Sequence, residues 1–242
     1  MVIEKINTQL VGLPPNWLSR ATAHGGSMVR ANEIKKMLGE PIPQIVDEDQ
    51  IPKEVKEYFG PKGLLERLRK KLSLFSKKKG GKFIPARGTI ASVDEDDNLY
   101  VGVDFLENYG EDEELVAGIL AHEWGHMLSD LPKDMDWSHL NWDQLHEMRR
   151  DEEADADAFA GRAMFLMGVS PEPMVKFLTK LDRTKKEKKI PSHKYHNLAT
   201  RVEILREAFK AEREAMETAK RLFFDKKKNP TGPKIGRVLG QG

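Results

Sequence analysis

Residues 115–130 read LVAGILAHEWGHMLSD, and they constrain this chain more than any other stretch. Leu115, Ile119, Leu120, Trp124, Met127 and Leu128 recur at three- and four-residue steps, the period of an amphipathic helix. Asp112, Glu113 and Glu114 supply the acidic first turn that a helix N-terminus favours. On such a helix His122 and His126 stand one turn apart on one face, so both imidazoles can aim at a single point. That is the H-E-x-x-H arrangement, in which two histidines are the first two ligands of a Zn2+ ion. Glu123 follows the first of them. Its carboxylate can reach a water at the metal rather than the metal itself, as the general base of amide hydrolysis. The competing meaning is two surface histidines on an ordinary helix, and a third ligand decides between the two.

A metzincin continuation needs a glycine and a third histidine soon after His126; Met127, Leu128, Ser129 and Asp130 exclude it. Residues 149–168, RRDEEADADAFAGRAMFLMG, form a second helical pattern that Gly168 and then Pro171 end. Glu152, Glu153, Asp155 and Asp157 on it are candidate third ligands, and the alternative for most of them is a solvated acidic face. His146, seven residues before Glu153, shares that face and is the rival ligand. The chain has no Cys, which removes disulfides, thiolate ligands and thiol nucleophiles, and with them the peptide deformylases.

Residues 153–160, EADADAFA, together with the H-E-x-x-H, resemble the E-x-x-A-D-x-F-A signature of gluzincin metallopeptidases of the HtpX and CAAX-prenyl-protease type. The resemblance implies that Glu153 is the third zinc ligand and that Asp157, one turn later, orients a ligand imidazole. It also implies that small alanines let the second helix lie close under the first. The pair 89–93 and 99–103, around a turn at 94–98, resembles the strand pair ahead of the motif helix in that family. Further on, Arg201-Val202 matches an Arg-Ile or Arg-Val pair of the family, but the His-Pro that precedes it there is absent. His193, Tyr195 and His196 remain candidates for holding the tetrahedral oxyanion, because each can donate a hydrogen bond to developing negative charge. Arg201 is expected to pair with an acidic residue that supports the ligands. The best-known members span membranes, and this chain lacks the apolar run that would require, so it resembles the soluble minigluzincin-like form.

Of the 242 residues 33% are charged and 39% hydrophobic, and the formal net charge of +1 gives no global attraction to polyanions. No secretory signal opens the sequence, which makes the cytoplasm the default compartment. Residues 1–60 read as an N-terminal appendage of short helices, including 27–38 and 52–59, broken by Pro14-Pro15, Gly25-Gly26 and Pro41-Ile42-Pro43. Residues 61–81 read as a basic amphipathic helix with Leu64, Leu65, Leu68, Leu72 and Phe75 in one stripe, followed by a flexible loop of lysines and glycines. Residues 82–224 carry the metallopeptidase pattern, with an acidic loop expected at 104–114, a short helix from 173 and a long one from 198. Residues 225–242 form a basic, Gly- and Pro-containing tail. The basic helix and tail offer weak contacts for acidic surfaces.

These features predict an α+β, mainly helical fold: a zincin-type core with a small β-sheet ahead of the H-E-x-x-H helix. They predict a Zn2+-dependent endopeptidase acting on peptide or protein substrates, with His122, His126 and Glu153 as ligands and Glu123 as base. The alternative is a catalytically silent zinc-stabilised scaffold or a surface-binding module within a larger assembly.

Overall fold

The computed structural model describes residues 43–94, 96–128, 140–188 and 195–228, with side chains through residue 223. In chain order the elements are β1 (Gln44–Ile45), α1 (Lys53–Phe59), α2 (Leu64–Ser76), β2 (Phe83–Arg87), β3 (Ala91–Val93), β4 (Leu99–Gly102), α3 (Val103–Tyr109), α4 (Glu113–Met127), α5 (Trp142–Met167), α6 (Glu172–Glu187) and α7 (Leu198–Lys228). The fold is mainly helical with one small mixed sheet ahead of the motif helix. The helix expected at 27–38, together with His193 and the tail beyond 228, lies outside the described residues.

The sheet runs in the order β1-β2-β4-β3. The expected hairpin is present: β3 pairs antiparallel with β4, and Asp94 organises its turn by accepting from the backbone N–H groups of Asp96 and Asn98 at 2.9 and 2.8 Å. β2 adds in parallel to β4, and β1 antiparallel to β2. The second strand ends sooner than its alternation suggested. Gly102 is pressed against the Thr89 carbonyl, where a β-carbon would lie 2.2 Å from that oxygen, and the chain turns into α3. The acidic loop expected from residue 104 therefore begins as a helix, because Val103, Phe105 and Leu106 bury one side in the core.

One core joins segments that the sequence reading had separated. Val46, Ile51 and Val55, from the expected appendage, pack in one cluster with Leu64, Leu65, Val101 and Leu106. The leucine stripe of α2 faces this core and its basic side faces water, so burial rather than an acidic surface accounts for the amphipathic pattern. The lysine–glycine loop after α2 is held in place. Trp124 of α4 donates its indole N–H to Ser76 Oγ at 2.9 Å, and Gly80, at φ 66°, lies against the same indole. Lys78 Nζ donates to the Met127 carbonyl at the end of α4 at 2.5 Å and pairs with Asp97 at 3.0 Å. A cation there also meets the negative end of the helix dipole. At the other side the helix expected from 173, α6, runs from Glu172 to Glu187, and α7 extends to Lys228.

The helices α4, α5 and α7 form a stack in which small residues set the spacing. A β-carbon on Gly125 of α4 would sit 2.7 Å from Ala156 Cα of α5, and one on Gly161 of α5 would sit 2.2 Å from the Leu205 carbonyl oxygen of α7. The obstacle is backbone in both cases, so it cannot rotate aside. Gly125→Val is expected to cost at least about 2 kcal/mol by overpacking, which for a chain of this length lowers Tm by roughly 4–8 °C. Calorimetry of the variant checks this; an unchanged Tm would show that the helices have room to spare.

Candidate metal centre

The second helix, α5, begins with a capping box. Asn141 accepts from the Gln144 backbone N–H at 2.9 Å while the Gln144 side chain accepts from the Asn141 backbone at 3.0 Å. This cap starts a 26-residue helix whose small Ala156 lets it run close beneath Gly125 of α4. Glu153 and Asp157 then face the two histidines of α4 from below. Both are buried, at 3% and 0% exposure, as is His122 at 8%. Glu153 and Asp157 thus lie on an inward face, whereas Asp155 is exposed.

His122 Nε2 and His126 Nε2 are 3.3 Å apart, and Glu153 Oε2 lies 3.2 Å from the first and 3.8 Å from the second. Glu153 Oε2 is buried and takes part in no hydrogen bond of acceptable angle. The two imidazole nitrogens stand in hydrogen-bond geometry to each other, while Glu153 Oε2 lies close to both without a directed bond, so the three atoms converge as the corners of a coordination polyhedron do. Ligands at 2.0–2.1 Å on a tetrahedral ion stand about 3.3–3.4 Å apart, so the triangle fits a small divalent cation. Buried His122, His126 and Glu153 can therefore hold a metal ion. His146, on the turn near the start of α5, is not part of this cluster; its ring lies 6.2 Å from that of Trp142.

Each of the two histidines has a carboxylate behind it. His122 Nδ1 is 2.9 Å from Asp157 Oδ1, and Arg201 of α7 donates to Asp157 through Nε and Nη2 at 2.7 and 2.8 Å. His126 Nδ1 is 3.3 Å from Glu152 Oε1, and Arg149 contacts both Glu152 and Glu153. The sequence reading missed Arg149 and the role of Glu152. Their only signal is their position four and one residues before Glu153 in a charged run that otherwise reads as solvated.

Burial disfavours charge on His122, but Asp157 and then Glu153 outweigh it and push its pKa up to about 10. Burial pushes His126 down to about 4. Burial would raise Glu153, yet His126, His122 and Arg149 hold it well below the usual carboxylate range. Asp157 is likewise lowered against its burial by Arg201 and His122.

The oxyanion candidates are less uniform. Tyr195 lies with its ring on the Arg201 guanidinium, 4.5 Å from Cζ, and under Lys185 Nζ at 4.6 Å. His196 is half-buried and interacts electrostatically with Asp151 of α5. Glu123 is half-buried beside His122, and no described residue hydrogen-bonds or ion-pairs with its carboxylate. Among the described residues no helix is long and apolar enough to cross a membrane. Comparison of the chain with family models, with curated proteins and with solved structures found no match.

Metal and proton compete for His122, whose raised pKa keeps it protonated below about 10 when no cation is bound. With His126 neutral and Glu153 ionised, one proton should leave per metal. Affinity is then expected to rise about tenfold per pH unit between roughly pH 5 and 9. Calorimetric titration in buffers of different ionisation enthalpy measures this. A pH-independent affinity, or uptake that survives His122→Ala and Glu153→Ala but not His146→Ala, would contradict the site.

Proposed function

We propose that the chain is a zinc-dependent endopeptidase of the gluzincin type, hydrolysing peptide bonds in peptide or protein substrates. The observation that carries the reading is the triangle of His122, His126 and Glu153 with the carboxylate of Glu123, to which no described residue hydrogen-bonds, beside it. A His2Glu donor set without Cys is the composition of catalytic rather than structural zinc sites. The small sheet set against the motif helix is then the zincin-type core that the resemblance implies.

Zinc held there supplies Lewis acidity, which polarises a carbonyl and makes water acidic near neutral pH. The remaining work falls to the chain. Glu123 takes a proton from the attacking water as its oxygen bonds to the scissile carbonyl carbon. It then returns the proton to the nitrogen as the C–N bond breaks. Asp157, 2.9 Å from His122 Nδ1, lies behind that imidazole and favours the orientation with Nε2 inward, and Arg201 anchors Asp157. Tyr195 is the favoured donor to the tetrahedral oxyanion, because stacking on Arg201 ties it to the ligand network.

A scaffold would have no use for Glu123, and this separates the two readings. Zinc-loaded protein is expected to cleave unstructured peptides in a mass-spectrometric screen and to lose that activity to a chelator. Glu123→Gln should keep the metal and the fold but lose at least about 10²-fold in rate, since a neutral amide cannot accept the proton. A variant as active as the wild type, or a zinc-loaded wild type that cleaves nothing, overturns the proposal.

A further inference from the structure

We propose that Arg149 and Glu152 are positioning residues of the metal centre: Glu152 orients His126, and Arg149 pins both Glu152 and the outer oxygen of Glu153. The inference rests on the reading of the triangle as a metal site.

The geometry repeats a motif. On one side His122 Nδ1 meets Asp157, which Arg201 clamps. On the other, Glu152 Oε1 lies 3.3 Å from His126 Nδ1, within ion-pair distance though not in hydrogen-bond geometry, and Glu152 Oε2 is held by Arg149 Nη1. Each imidazole thus has a carboxylate behind it and each carboxylate has an arginine behind it. Arg149 does more than Arg201, because its Nη2 also donates to Glu153 Oε1 at 3.2 Å. That bond occupies one oxygen of the third ligand and leaves the other, Oε2, turned towards the histidines.

Spacing explains how one helix does this. Arg149, Glu152, Glu153 and Asp157 stand at i, i+3, i+4 and i+8 on α5, so one face carries all four. Pairs at this spacing form on many exposed helices and contribute little. Here the Arg149 and Glu152 side chains are only 10% and 12% exposed, and the network ends on a histidine of a different helix. A buried ion pair is roughly neutral for stability against an apolar replacement, so folding alone gives no reason to retain it. Orientation of ligands does. Three carboxylates of α5 border the two histidines, and only Glu153 completes the triangle. Arg149 neutralises Glu152 and keeps it directed at His126 Nδ1 instead of the ion.

Two variants test this, read by metal binding and not by activity. Glu152→Ala should weaken zinc binding about 10–100-fold in competition with a chromophoric chelator, the usual loss when a partner of a ligand histidine is removed. Glu152→Gln, which keeps an oxygen in place, should weaken it less. Arg149→Met releases Glu152 and the second oxygen of Glu153 to approach the ion. Its Co2+-loaded form should show the weaker visible bands of a higher coordination number, where the wild type shows the intense bands of a four-coordinate site. Should Arg149→Met fail to fold, the ordering of the two Glu152 variants decides alone. If the wild type binds Zn2+ and Co2+ while both Glu152 variants bind equally well, the positioning role is overturned and the site stands. If the wild type binds neither ion, the site and this inference fall together.

Discussion

The contact between Gly125 and Ala156 sets the distance on which the rest of the site depends. With no side chain on Gly125 and a single methyl on Ala156, α4 and α5 approach until backbone meets side chain. Only at that spacing can a glutamate of one helix reach the histidines of the other at 3.2 and 3.8 Å. Trp124, on the same helix, is completely buried and bonded to Ser76, and this fixes α4 from its other side. Gly161 repeats the device against α7, which brings Arg201 to Asp157. Packing thus precedes electrostatics here: small residues bring the helices together, and the polar groups meet because of it.

Those polar groups carry a cost that packing alone does not explain. Glu153 and Asp157 are ionised carboxylates out of contact with water, and each needs cationic or hydrogen-bonding partners to remain so. Arg149 and Arg201 supply part of this. They do not satisfy Glu153 Oε2, which faces two imidazole nitrogens without a well-directed hydrogen bond. A divalent cation would satisfy all three atoms together. Within the same cluster Asp157 and Glu153 raise the pKa of His122, while burial lowers that of His126.

Much of this was legible in the sequence where periodicity and chemistry coincide. The four-residue step between His122 and His126 requires one face of a helix, and the structure places them there. The turn-rich stretch around Asp94 signalled the hairpin because Asp94 satisfies that turn with its own side chain. Choosing Glu153 among four acids was beyond spacing, since residues 152, 153, 155 and 157 cover most of a helix circumference; the family resemblance made that choice. Arg149 and Glu152 stayed hidden because a run of alternating charge has the same pattern whether water or another helix covers it. The loop at 77–81 misled for a related reason. Lysines and glycines signal flexibility, yet Gly80 is needed to admit the Trp124 ring and Lys78 has the end of a helix to bind. The early end of β4 followed from a close approach to Thr89, a tertiary contact that local alternation does not encode.

The central claim is that one divalent metal sits where the two helices meet. Crystals grown with equimolar zinc and measured on both sides of the zinc absorption edge test it directly. The account predicts a single anomalous peak within about 2.0–2.2 Å of His122 Nε2, His126 Nε2 and Glu153 Oε2. No peak at that point, or a dominant one on His146 or another surface histidine, would contradict it.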